Sequence, residues 1–462
     1  MSAASGGMGN GGELEGGGGR KVFSVPTVVI LAALGGALLA INLFWLWAPE
    51  WDRTRYFFWL FYAQTGIHLL ACFLVIRADP GRWALPIVVV CAALLRLTLV
   101  PTEPRLSTDV YRYVWDGAVQ AAGVNPYRHV PAAPELAHLR DDYIYERVNR
   151  RDYARTAYPP AAQFVFLLSA LIRPRGLTTL KLIFVLCELV TVWALVALLG
   201  RLGLNPARAV VYAWSPLAFW ETAQNGHVEA LAVMFIALAA LAAARGRRAT
   251  TGVLLALAAL VKVYPGLLAA AFYRKWDWRL PAAMAATAAI LYLPYLGAGG
   301  EVLGFLTHYP REEGFASGER FLLLKWIQRL GPLPTRAYLA LAGLALGAVV
   351  AYLVAREKSI AEQLRGATLI AGLALLLGSP QYAWYYLWLL PVLGATIERV
   401  TVGQLAGGLA VLAAFARHHV AGRLTPELLA APLLAGASLA REPTIQWWWL
   451  VLVASAGFLS WL

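Results

Sequence analysis

Residues 102–158 contain no long apolar run but concentrate carboxylates, guanidinium groups and phenols. The acids are Glu103, Asp109, Asp116, Glu135, Asp141, Asp142, Glu146 and Asp152, eight of the chain's 26 Asp and Glu. With them stand Arg105, Arg112, Arg128, Arg140, Arg147, Arg150, Arg151 and Arg155, and Tyr111, Tyr113, Tyr127, Tyr143, Tyr145, Tyr153 and Tyr158. Loops above about 15 residues are usually functional or disordered, and this aromatic content argues against disorder. Within the stretch, Ser107-Thr-Asp-Val-Tyr-Arg-Tyr-Val-Trp-Asp-Gly117 reads as a helix capped by Ser107 or Thr108. Asp109 and Asp116, seven residues apart, then share one face. Asp109 follows closely on an apolar run that ends at Val100–Pro101, where a general base beside hydrocarbon would stand. The plainer reading makes Asp109 a first-turn acid and Asp116 the partner of Arg112 at i−4.

Other ionisable groups interrupt apolar runs. Gln224, Asn225, His227 and Glu229 lie between two such runs. An Asn-Gly turn explains the first pair, whereas His227 and Glu229 at the start of a membrane helix are functional candidates by default. Lys262, in Leu260-Val-Lys-Val-Tyr-Pro265, and Arg96 either snorkel to the interface or bind a lipid phosphate. The turn Ser379-Pro-Gln-Tyr-Ala-Trp-Tyr-Tyr386 is an interfacial aromatic belt or the lining of a sugar pocket. His418 and His419 have no acid at metal-ligand spacing and are assigned nothing. Cys72, Cys91 and Cys187 fall in apolar segments without CxxC spacing and read as small buried hydrophobes.

The elements that must position these groups are membrane helices. The 462 residues are 60% hydrophobic and 14% charged, against about a quarter charged in soluble domains. Spans are expected at 22–48, 56–76, 83–100, 177–200, 207–222, 227–244, 251–273 (one helix, or two short ones broken at Pro265), 280–296, 336–355, 366–379, 384–397, 401–416, 426–440 and 445–462. The fold class is therefore all-α, a polytopic bundle of about 12–14 spans with a long outer loop that carries juxtamembrane helices. Residues 1–21, largely Gly, read as a flexible cytoplasmic tail ahead of one polytopic domain over 22–462. The Gly343/Gly347 and Gly403/Gly407 pairs are small-xxx-small signals of close helix contact. No internal repeat is evident, which disfavours an inverted-repeat transporter.

The net charge of +13 sits mainly in short loops, so it reports orientation and not a nucleic-acid partner. The loops around 77–82, 201–208, 245–248, 274–279 and 356–365 are all cytoplasmic only if residues 161–172 do not cross the bilayer. That stretch, opened by Pro159 and Pro160, is too short for an ordinary span. Residues 101–176 and the turn 224–229 are then expected on the outer side.

Taken in order, Asp109-Val-Tyr-Arg-Tyr-Val-Trp-Asp-Gly117, Ala122-Gly-Val-Asn-Pro-Tyr127, Leu139-Arg-Asp141 and Ala157-Tyr-Pro-Pro-Ala-Ala-Gln163 resemble the bacterial polyprenyl-phosphate-mannose-dependent mannosyltransferases. These belong to the GT-C superfamily of integral membrane glycosyltransferases and are similar to glycosyltransferase family 87. Asn225-Gly-His-Val-Glu229, Lys262-Val-Tyr-Pro265 and Pro380-Gln-Tyr-Ala-Trp-Tyr385 extend the likeness across residues 83–395. The resemblance implies a polyprenyl-phosphate-sugar donor, a glycan or lipid acceptor, and a cell-membrane enzyme acting on the extracytoplasmic side. It implies inverting transfer of a hexose, with mannose resting on the resemblance alone, and neither a metal nor another cofactor. Asp109 becomes the catalytic base. Tyr111, Arg112, Tyr113, Asp116, Tyr158, Asn225, His227, Glu229, Lys262 and Arg96 become the substrate-binding set. The rival reading is a transporter or flippase of lipid-linked sugars, which would have no reason for the charged loop. A third is an inactive scaffold in an envelope-assembly complex.

Overall fold

The computed structural model describes residues 24–47, 53–78, 80–380, 382–397 and 402. The proposed tail and the spans expected at 401–416, 426–440 and 445–462 lie outside the described residues. Among the described residues every regular element is helical, so the chain is an all-α polytopic membrane protein.

Among the described residues six helices are long and apolar enough to cross a membrane: Thr27–Trp47, Trp59–Arg77, Leu177–Arg201, Arg279–Glu312, Thr335–Ala355 and Ile360–Gly378. Four shorter apolar helices accompany them, Ala84–Leu97, Pro160–Ile172, Glu229–Ala244 and Arg248–Ala259. Several expected spans are thus replaced by broken segments. The 207–222 run divides at Trp214–Ser215 into pieces of one turn each, because Pro216 cannot continue a helix from Ser215. The 251–273 run breaks at Leu260–Val263, just before Tyr264-Pro265. Lys262 lies in that break.

Helices α1 (Ser24–Trp47), α2 (Arg53–Arg77) and α3 (Ala84–Leu97) form one packed group, α1 touching both others. Buried amides join them. Gln64 donates to Asn42 Oδ1 at 2.8 Å, Asn42 donates to the Leu95 carbonyl at 3.0 Å, and Trp220 Nε1 donates to Gln64 Oε1 at 2.7 Å. Where lipid and side chain are equally apolar, such hydrogen bonds and close packing hold helices together. Among the described residues Gly343 and Gly347 make no close helix contact, since a Cβ added at either meets nothing there within 4 Å.

The long loop has its own core. Helix α4 (Asp109–Ala121) is buried on nearly every side from Val110 to Gly117 and packs on α5 (Pro160–Ile172) and α6 (Leu177–Arg201). At the α4–α5 crossing a Cβ on Gly117 would lie 2.3 Å from the Phe166 carbonyl oxygen, so only glycine fits. Helix α5 has 13 residues, about 20 Å at 1.5 Å per residue, short of the roughly 30 Å hydrocarbon core.

The segment Leu293–Glu312 lies across the loop. Phe305 N donates to the Thr156 carbonyl at 3.0 Å. Beside it Gly304, at φ +55°, approaches so closely that a Cβ would come within 2.0 Å of that same oxygen. Arg150–Glu312 and Arg155–Glu301 ion pairs secure the two segments to each other.

Candidate active site

Between the long loop, the break at 260–263, the 305–320 segment and the 382–385 turn lies a cavity of about 1440 Å³. Asp109, Arg112, Asn149, Tyr158, Lys262, Tyr264 and Tyr385 all line it.

Asp109 is the first residue of α4, with its backbone N–H held by Ser107 Oγ at 3.2 Å, so Ser107 and not Thr108 supplies the side-chain contact at this helix start. The segment before it is pinned from the 224–225 turn. Gln224 donates to the Glu103 carbonyl at 2.7 Å, and Asn225 Oδ1 accepts from Leu106 N at 3.2 Å. The half-buried Asp109 carboxylate accepts a hydrogen bond from Asn149 Nδ2 at 2.6 Å and meets the Tyr158 hydroxyl at 3.5 Å. Burial first, and then the Asp109 charge, push the Tyr158 phenol above its usual range, so it stays neutral. Tyr158 is itself fixed by Tyr127, whose hydroxyl donates to its carbonyl at 2.7 Å, and by an edge-on Tyr113 ring at 4.8 Å.

Lys262 reaches the same cavity from the broken helix. Its ammonium forms a close ion pair with Glu229, at the first residue of the helix Glu229–Ala244, and lies over the rings of Tyr385 at 4.8 Å and Tyr158 at 5.9 Å. Behind Glu229 a buried polar chain continues. His227 stands 3.9 Å from Glu229 and 3.4 Å from Glu221, Asn225 donates to Glu221 at 3.1 Å, and Asn225 also holds the segment that leads into Asp109. His227 stacks on Trp384 at 3.8 Å, and Trp384 faces the cavity.

Of the residues expected to bind substrate, Arg112, Tyr158 and Lys262 line the cavity. His227, Glu229 and Asn225 form the layer behind it. Tyr113 is buried against Phe166 at 4.8 Å. Tyr111 points elsewhere and donates to Glu103 at 3.2 Å. Asp116 is a latch. It accepts from Arg112 at 2.9 Å, from Thr156 at 2.5 Å and from Gln163 at 3.2 Å, so it ties α4 to the chain that leads into α5. Arg96 is fully buried, bonded to Glu188 at 2.8 Å and to the Ala213 carbonyl at 2.7 Å, and it does not line the cavity. With its guanidinium bonded to Glu188 and to the Ala92 and Ala213 carbonyls, Arg96 ties neighbouring segments together.

Sequence reasoning missed Asn149, which no local pattern distinguishes. It also missed Glu188 and Glu221, although each is an acid within an apolar run, a signal that was there to be read. Of the two readings of the 379–386 turn, interfacial belt or lining of a sugar pocket, the cavity lining fits: Tyr382, Trp384 and Tyr385 face the cavity.

A neutral phenol and an amide flank the Asp109 carboxylate, and the Lys262 ammonium lines the same cavity. That arrangement can accept a proton and stabilise a departing anion. A family model described as the alpha-(1->6)-mannopyranosyltransferase N-terminal domain, of the MptA/B family, matches residues 23–276, more than half of the chain. Asp109, Asn149, Tyr158, Glu229 and Lys262 all fall inside the match. A search of the curated proteins finds no match. The chain belongs to this alpha-(1->6)-mannopyranosyltransferase family, and is a membrane glycosyltransferase that transfers mannose.

Proposed function

We propose that the protein transfers mannose from a polyprenyl-phosphate-linked donor to a cell-envelope glycan or lipid acceptor on the extracytoplasmic face of the cell membrane, with inversion at the sugar. The observation that carries this reading is the convergence of Asp109 and Lys262 on one cavity, with Tyr158 in contact with both.

In this mechanism Asp109 takes the proton of the acceptor hydroxyl as that oxygen bonds to the anomeric carbon. The bond from that carbon to the phosphate oxygen breaks, and its electron pair leaves with the polyprenyl phosphate. Positive character grows on the sugar and negative charge on the phosphate, where Lys262 is the stabilising cation. Glu229 pairs with the ammonium and aims it. Asn149 fixes the Asp109 carboxylate, and Tyr158 offers a neutral donor beside it. A single inversion that yields the alpha linkage in the family's description requires a beta-linked donor.

The test offers the purified protein, in nanodiscs, a panel of polyprenyl-phosphate sugars in both anomeric forms. Transfer from the beta-linked mannose donor to give an alpha product is expected. Translocation of the lipid-linked sugar across vesicles without any transfer would replace this reading with the flippase alternative.

A further inference from the structure

The Lys262 ammonium has two claims on it. In the structure it pairs with Glu229, whose side chain is 1% exposed. A phosphate that draws the ammonium toward the cavity leaves this carboxylate without its full counter-charge. A buried charge stripped of its partner is costly, so a group behind Glu229 has to take over.

His227 is placed to do so. It is fully buried and does not line the cavity, with Nδ1 3.9 Å from Glu229 and Nε2 3.4 Å from Glu221. Neither ring nitrogen makes a hydrogen bond to a described residue. A neutral imidazole carries one N–H and serves one carboxylate, whereas an imidazolium carries two and serves both. The ring also lies against Trp384, with centroids 3.8 Å and planes 24° apart. That stack restrains the ring from swinging away, and an indole face favours a cation upon it. His227 therefore answers a change at Glu229 through its charge and not through movement.

The groups around this pair have definite signs. Glu221 and Asp109 add negative charge beside Glu229, and Lys262 is the cation that acts on His227. The phenols that face Glu229, Tyr113 and Tyr158 from the loop and Tyr264 and Tyr385 from the cavity wall, are uncharged near neutral pH. A polyprenyl-phosphate sugar is a phosphodiester and brings one negative charge. A buried set that gains one negative charge keeps its net charge only by gaining one proton.

We propose that His227 is a positioning residue that takes up one proton when the donor phosphate engages Lys262. As imidazolium it then holds Glu229, and the ammonium is released to the phosphate. The proton comes from solvent and returns to it when the lipid phosphate departs. This rests on the assignment of Lys262 to the donor phosphate made above.

The experiment titrates polyprenyl-phosphate-mannose, without acceptor, into the full chain in nanodiscs by calorimetry. Runs near neutral pH in PIPES and in Tris, whose ionisation enthalpies differ, count the protons exchanged. About one proton should enter per donor, and affinity should fall by up to about tenfold per pH unit as pH rises. His227→Gln should bind donor about tenfold more weakly, the loss of one good contact, with no proton uptake and a flat pH profile. Glu229→Gln removes the charge that needs compensation, so it should bind donor without proton uptake. The wild-type count and Glu229→Gln decide the matter even where His227→Gln does not insert. Donor binding by the wild type without proton uptake, or uptake that persists in either variant, overturns the inference and leaves the transferase intact. Donor binding unchanged in Lys262→Ala overturns the assignment of Lys262 as well.

Discussion

Asn149 Nδ2 donates to Asp109 Oδ1 across 2.6 Å, joining the first residue of α4 to a residue forty positions further along the chain. The bond sets which way the carboxylate points while leaving its second oxygen facing Tyr158. A base that must meet an incoming hydroxyl gains from such restraint, because small errors in placement cost large factors in rate. Asn149→Ala is therefore expected to lower kcat by about tenfold or more with little change in thermal stability. Steady-state rates on the folded variant check it, and an unchanged kcat would remove Asn149 from the mechanism.

Asp109→Asn keeps the size of the side chain and suits a helix start, so folding and membrane insertion should persist. Transfer should fall by about 10² to 10⁴, the usual contribution of a general base, while donor binding survives. Near wild-type transfer by the inserted, folded variant would show that the proton goes elsewhere.

Lys262→Ala removes the cation and also strands Glu229, whose side chain is only 1% exposed. Donor binding should weaken several-fold or more, since charge-assisted contacts contribute about 1.5–3 kcal/mol. Stability should fall too, by up to about 3–5 kcal/mol for a buried pair that loses one partner. The double variant Lys262→Met with Glu229→Gln should regain stability but not donor binding. Recovery of both in the double variant would assign the pair a purely structural role.

Asp116→Asn is expected to act on the fold. Asp116 gathers Arg112, Thr156 and Gln163 at once, and an amide cannot accept from all three and offset the guanidinium charge. The melting temperature should drop, with the residual activity of the folded fraction close to normal. A stable but inactive Asp116→Asn would instead place the reacting sugar deeper in the loop.

Arg175 is exposed at the turn between α5 and α6, where it pairs with Asp141 at 3.2 Å. If α5 stays on the outer side, a cysteine replacing Arg175, in a chain lacking Cys72, Cys91 and Cys187, should react with an impermeant thiol reagent on intact cells. Labelling only after permeabilisation would invert the proposed topology.

Much of this was determined by the sequence alone. Apolar runs far richer than a soluble core needs could only be membrane helices. Asp109, which lines the cavity, stood out as a candidate because a carboxylate just past a span, at the head of a charged loop, is locally conspicuous, and the shortness of residues 161–172 was a matter of length. Lys262 was visible as a cation in an apolar run, but its role depends on a helix break at 260–263 and on Glu229, about thirty residues away. Arg96 looked like a site residue for the same reason as Lys262, since a charge in an apolar run reads alike whether it faces a cavity or a partner, and Asp116 did so because it shares a helix face with Asp109. Only the tertiary structure decided between them, by setting Glu188 against Arg96 and Thr156 and Gln163 against Asp116. Asn149, Glu312 and Tyr382 enter the cavity from segments far apart in the chain, and local patterns carry no record of contacts formed when distant segments pack.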